Sequence, residues 1–236
     1  MDFHPTLDST MDRAKELANN GCPDFTVVVA DRQKRGRGRL SRSWHSNRGG
    51  LYFTIITRPA IPPVLVNQLS FSASVCLVET FKCLFDIDAK IKWPNDILLN
   101  NQKLSGILCE MRVEADLIDY LNIGIGINVN NNPRLAEANS VSIKQFIGRT
   151  ISRKEILTYF LNAFEATLKA NQYQQVLDRW KSHSTTLNQR VRVETIKETF
   201  IGKAVDIDDN GALILILNDN SQKKIYYGDC FHSQSQ

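Results

Sequence analysis

The 236-residue sequence holds no CxxC pair and no internal repeat or low-complexity segment. No apolar run approaches the ~18 residues of a membrane span. The start, Met1–Thr10, is acidic and polar and lacks a signal-peptide core. Five cysteines, Cys22, Cys76, Cys83, Cys109 and Cys230, are scattered and odd in number. That predicts reduced thiols in a cytoplasmic protein. The phosphate loop GxxxxGK[ST] and the dinucleotide fingerprint are both missing. A net charge of +4 is too small for a general nucleic-acid coat.

What is present is concentrated. Between Arg32 and Arg48 lie seven basic residues (Arg32, Lys34, Arg35, Arg37, Arg39, Arg42 and Arg48) and no acid. Gly36 and Gly38 interleave with the arginines, and Trp44 follows. Strand-like runs flank the stretch, Phe25–Ala30 before it and Leu51–Thr57 after it. A flexible cationic loop pinned at both ends needs an anion to settle. The glycines admit close backbone approach, and arginine forks fit carboxylate or phosphate two bonds at a time. Trp44 offers a face on which a purine could stack. The same features suit a solvated basic loop or an RNA-binding arm.

Along the chain, Ser9 or Thr10 caps a short helix ending at Asn20-Gly21. Its first amides could receive an anion or a carbonyl oxygen. Val64–Phe85 reads as a long buried helix. Lys90–Trp93, Ile97–Leu99, Leu104–Val113 and Leu117–Val129 read as strands, with Asn100-Asn101 as a hairpin turn. Ser152 opens a helix reaching about Ala170 through a capping box with Glu155, and Val176–His183 adds another. From Leu187 the period shortens to strands, with a turn at Asp209-Asn210-Gly211. The sequence therefore predicts an α+β unit over 1–185 and a small β-barrel over 186–236 packed on it. The tail from His232 to Gln236 reads as frayed.

Three further stretches carry chemistry. In Lys92–Glu110, Trp93-Pro94 predicts an extended approach. Asn95 and Asp96 then stand at a strand edge where they could hold Mg²⁺ or nucleotide hydroxyls, or simply form a turn. Lys103, entering a strand three residues before Gly106, places an ammonium beside bare backbone, or faces water in a hairpin. In Asn122–Asn130, Gly124 and Gly126 leave one strand face bare, and Asn128 ends the strand.

Together Leu7–Thr10 (LDST), Gln33, the run Gly36–Trp44 (GRGRxxRxW), Lys92–Asp96 (KWPND), Lys103–Leu108 (KLSGIL) and Gly124–Asn128 (GIGIN) resemble biotin protein ligases. Those enzymes attach biotin to carboxylase carrier domains. The resemblance runs over nearly the whole chain. It implies a catalytic domain similar to class II aminoacyl-tRNA synthetases, a mostly antiparallel sheet with helices, followed by an SH3-like barrel. It implies two half-reactions: biotin and ATP give biotinyl-5′-AMP and pyrophosphate, and a carrier lysine then displaces AMP.

By position, the resemblance assigns Ser9, Thr10, Met11, Gln33, Gly36, Arg37, Gly38, Arg39, Lys103 and Gly106 to biotin. It assigns Arg39, Arg42, Trp44, Asn95, Asp96, Lys103 and Asn128 to ATP or the adenylate. Lys103, Arg39 and Arg37 would be catalytic, and Asp96 would meet Mg²⁺. Met11 departs from the family, which usually has Asn there. The implied partner is the biotin carboxyl carrier domain of a carboxylase, acetyl-CoA carboxylase first, with the ligase a monomer or homodimer. LDST begins at Leu7, so no DNA-binding domain, no DNA partner and no membrane are expected. The alternatives are a lipoate ligase or octanoyltransferase on the same fold, and an RNA-binding module using the Arg/Gly loop. The loop offers that module only Trp44 and His45 for stacking bases.

Overall fold

The structure, a computed structural model, describes residues 1–232. A seven-stranded sheet forms its larger part. In chain order its elements are β1 (Asp2–His4), α1 (Thr10–Asn19), β2 (Thr26–Ala30), β3 (Leu51–Thr57), α2 (Val66–Phe85), β4 (Lys90–Lys92), β5 (Asp96–Leu99), β6 (Gln102–Glu114) and β7 (Leu117–Ile127). Then come α3 (Ile143–Ile147), α4 (Arg153–Ala170) and α5 (Tyr173–His183). The strand order is β1-β2-β3-β7-β6-β5-β4. β1 pairs with β2 in parallel, and every other neighbour in the sheet is antiparallel.

Side chains alternate across a strand, so each strand serves two faces. Val27, Val29, Phe53, Ile55, Ile123 and Ile125 belong to one large buried cluster with residues of α2, α4 and α5. By length and composition the segment Pro63–Phe85 could cross a membrane. Here it is the core helix, with Leu69, Ala73, Leu77 and Phe81 fully buried. Its hydroxyls are satisfied inside the helix: Ser72 donates to the Gln68 carbonyl and Thr80 to that of Cys76.

The other face is covered unevenly. Val28, Ile56 and Tyr120 meet Ala14 and Ala18 of α1. With ten residues, α1 reaches only about 15 Å. Met11 at the start of α1 reaches Gly124, and the rest of that face, where Gly106 and Gly126 lie, is left to the loop between β2 and β3. The site is built there.

The C-terminal strands are β8 (Arg190–Glu194), β9 (Thr199–Ile207), β10 (Leu213–Leu217), β11 (Gln222–Ile225) and β12 (Asp229–His232). They order as β11-β10-β9-β8-β12. β11 and β12 are opposite edges, yet only Tyr226–Gly228 link them. That link spans at most roughly 14 Å, while five flat strands would be roughly 19 Å across. The sheet therefore curls, as an SH3-like barrel must.

Several details differ from the sequence reading. β1, α3 and β12 were not legible in it. Residues 93–95 form a turn, so the approach to Asn95 is not an extended one; the Trp93–Pro94 peptide bond is cis. Ser152 accepts from the Glu155 amide, one half of a capping box. Of the tail read as frayed, His232 closes β12, and residues 233–236 lie outside the described residues.

Candidate active site

A cleft of about 310 Å³ opens between the glycine face of β6 and β7, the N-terminus of α1 and the cationic loop. Ser9 caps α1, its hydroxyl accepting from the Met11 amide. The next amide, Thr10, donates to Gln33 Oε1 at 2.8 Å, and the Thr10 hydroxyl reaches the same oxygen at 3.0 Å. Thr54 on β3 donates to the Thr10 hydroxyl, and Gln33 Nε2 donates to Ser46. The carbonyl oxygen received by the helix N-terminus is thus that of Gln33. This network fixes one polar end of the cleft.

The strand glycines are not left bare. Gly106 and Gly126 are cross-strand partners, and Trp44 lies over both. A Cβ on Gly106 would meet the indole at 3.1 Å, and one on Gly126 would collide with Nε1. Met11 covers Gly124. The glycines exist so that the chain's own Trp44 and Met11 can settle against strand backbone. Lys103 Nζ sits 5.4 Å from the Trp44 ring and 3.1 Å from Asp96 Oδ1.

The loop arginines divide into two kinds. Arg35 pairs with Asp8, and Arg42 with Asp229. Arg37 bridges Asp12, at 2.7 Å, and Glu110. Burial acts to lower the Arg37 pKa, but Asp12 and Glu110 outweigh it and the value is raised. Among the described residues Arg39 has neutral partners only: Asn95 Oδ1 at 3.2 Å and the Gly228 carbonyl at 3.2 and 3.3 Å. Burial pulls its pKa down, opposed by the more distant Asp229 and Asp96. A partly desolvated guanidinium without a carboxylate is unfavourable by itself and is made good by an anionic ligand. Lys103 and Arg39 therefore present two cations to one cleft.

Residues 3–128 match the family model described as biotin/lipoate A/B protein ligase, and 186–233 match the biotin protein ligase C-terminal domain. The chain belongs to the biotin/lipoate A/B protein ligase family.

This ligase is 40% identical to the bifunctional ligase/repressor BirA of Bacillus subtilis, over 96% of its own length and 72% of that protein. It is 31% identical to the biotin–[acetyl-CoA-carboxylase] ligase of Paracoccus denitrificans, over 88% of this chain and 90% of the other. Its fold superposes on the biotin protein ligase from Aquifex aeolicus in complex with biotin and ATP. The TM-score is 0.82 at 28% identity, covering 99% of this chain and 98% of that one.

Of the site residues expected for the ligase, the cleft brings together Thr10, Met11, Gln33, Arg37, Gly38, Arg39, Arg42, Trp44, Asn95, Asp96, Lys103 and Gly106. Three stand behind it. Ser9 is the helix cap. Gly36 turns the loop, its carbonyl accepting from Trp44 and its missing Cβ leaving room for Trp44 and Ser46. Asn128 is 4% exposed, accepts from Asn131 and reaches the Lys103 carbonyl. Sequence reasoning missed Asp12, Glu110, Glu137 and Asp229. Only Asp12, in the first turn of α1 just after LDST, carried a signal.

Among the described residues no group of three His, Cys, Asp or Glu could cage a metal. Asp96 is a single carboxylate already on Lys103. That suits Mg²⁺ arriving on nucleotide phosphates, which needs one or two protein carboxylates.

Proposed function

We infer that the protein is an ATP-dependent biotin protein ligase, and that the cleft joins the biotin carboxylate to ATP. The observation that carries this is Arg39, a partly buried guanidinium that has neutral partners only among the described residues, facing the same cleft as Lys103. The related Aquifex aeolicus enzyme was solved with biotin and ATP, and one ligase of this fold with biotinyl-5-AMP.

In this reading the polar end at Thr10 and Gln33 takes the biotin ureido ring, with Met11 and Trp44 as apolar walls. The biotin carboxylate points to Lys103 and Arg39. One of its oxygens attacks the ATP α-phosphorus, and the bond from that phosphorus to the bridging oxygen breaks to release pyrophosphate. Two anions must approach each other, so the work is positioning plus positive charge. Lys103 lies between the reacting groups, and Arg39 with Arg42 holds the phosphate side. Mg²⁺ on the phosphates, with Asp96 as its protein ligand, would neutralise the leaving group. A lysine amine of a carboxylase carrier domain then attacks the acyl carbon, AMP leaves, and the amine loses a proton. No protein nucleophile is needed. The loop keeps water from the mixed anhydride.

We assign the catalytic unit to residues 1–185 and the C-terminal unit to 186–236. β5 pairs with β6 only over Gln102–Gly106. The remaining β6 edge can accept a second copy of the chain or the carrier domain by strand addition.

The test is exchange of labelled pyrophosphate into ATP. Biotin should stimulate it, lipoate should not, and a purified carrier domain should then be labelled on one lysine. Exchange driven by lipoate, or none with either acid, overturns the reading.

A further inference from the structure

Two of the loop's three cleft arginines, Arg39 and Arg42, are held by the other unit of the protein. Gly228 ends the link between β11 and β12, and Asp229 begins β12 and lines the cleft. Its carboxylate pairs with Arg42, and the preceding Gly228 carbonyl accepts both terminal nitrogens of Arg39. The Asp229 side chain is 16% exposed and that of Arg42 63%, so the carboxylate is the anchored partner.

The turn itself is fixed. Asp229 stands opposite Glu194 in the β12–β8 pairing. Gly228 has φ +149°, and a Cβ there would lie 2.8 Å from the Glu194 carbonyl and 2.9 Å from Val193. On the catalytic side Arg39 leans on Asn95, whose amide donates to the Ile107 carbonyl at 2.6 Å. Both arginines thus tie the loop to the turn at the start of β12 beside the cleft.

We propose that Asp229 is a positioning residue for the ATP half-reaction, holding Arg42 so that its remaining donors face the nucleotide phosphates. This rests on the biotin–ATP reading of the cleft. Arg42 engages Asp229 through one terminal nitrogen, and a guanidinium carries five N–H donors. Most of the fork therefore stays available. Without Asp229 the arginine is a mobile side chain that the ligand itself must order. The biotin end at Thr10 and Gln33 does not touch this turn.

Asp229→Asn in the full-length enzyme keeps the shape and removes the charge. We expect its KM for ATP in pyrophosphate exchange to rise about three- to fivefold, the size of a half-exposed ion pair. Biotin affinity by calorimetry stays within about twofold, and preformed biotinyl-AMP leaves faster. Asp229→Glu restores part of the ATP effect. Wild-type levels of exchange with an unchanged or lowered KM for ATP in Asp229→Asn overturn the proposal. So does a parallel loss for ATP and biotin with a lowered melting temperature and no rescue by Glu, which marks a merely structural role. If the wild type shows no biotin-dependent exchange, the reading of the cleft fails and this proposal with it.

Discussion

Met11 rests on Gly124: a Cβ built on the glycine would lie 2.5 Å from the Met11 sulfur. Met11 is 3% exposed and lines the cleft beside Thr10 and Gln33. The methionine that departs from the usual Asn is thus seated as a wall on bare strand backbone.

Gly124→Ala should push that wall into the cleft. Overpacking of this kind costs about 1–3 kcal/mol, so biotin affinity should fall at least about fivefold. Met11→Leu, with similar volume, should stay near wild type. Calorimetry with both variants checks this, and unchanged affinity in Gly124→Ala removes Met11 from the biotin wall.

Lys103→Ala should lower adenylate formation about 10²–10³-fold, the usual size for one preorganised charge at a reacting centre. Biotin affinity should fall far less, because the polar end of the cleft stays intact. Single-turnover formation of biotinyl-AMP beside equilibrium binding separates the two effects. The reverse pattern takes Lys103 out of the chemistry.

Arg39→Gly should leave the phosphate side without its unpaired cation. Biotinyl-AMP then escapes and labels lysines of bystander proteins such as serum albumin. Retention of the intermediate as in the parent would show that Arg39 does not grip it.

The cationic loop should resist trypsin at low ionic strength, because Asp8, Asp12, Glu110 and Asp229 hold Arg35, Arg37 and Arg42. At about 0.5 M salt the exposed pairs are screened, and cutting between residues 32 and 48 should speed up. Biotin with ATP should slow it again. Mass spectrometry of the first cuts reads this directly, and a rate indifferent to salt and ligand rejects a loop closed by charge.

Acid should loosen the joint between the two sheets. His232 Nε2 lies 3.2 Å from the Thr186 hydroxyl, which accepts from the Trp93 amide. Burial, helped by Lys92, lowers the His232 pKa below its usual 6.5. The neutral ring is the form the fold prefers. Its contribution is present in full above pH 6.5 and is lost as the pH falls through the lowered value. Melting temperature should therefore drop on acidification below about pH 6.5, and His232→Gln should flatten that slope.

Local signals made much of this fold legible. Ser9 announced its helix. Asn100-Asn101 announced a hairpin, and both residues take positive φ, 49° and 61°. Glycine spacing marked the strand face of the site. What stayed hidden was long-range. The seven positive charges suggested a loop waiting for a ligand anion, whereas the chain itself supplies carboxylate partners for three of them, Arg35, Arg37 and Arg42. Asp229 is 187 residues from Arg42, and no local pattern links them. The bare face at Gly124 and Gly126 was legible, but not that Met11 and Trp44 would fill it. β1, three residues long, offers no period to detect.

Trp93 gives the two-sheet architecture a thermodynamic meaning. It is 1% exposed, its amide donates to Thr186 and its indole to the Gly211 carbonyl at 3.2 Å. Cutting the chain at residue 185 would strip a large aromatic side chain of its cover and leave two donors without partners. The small sheet is thus part of the catalytic unit's own core, and the protein should melt in one cooperative transition, with no separately stable half to purify.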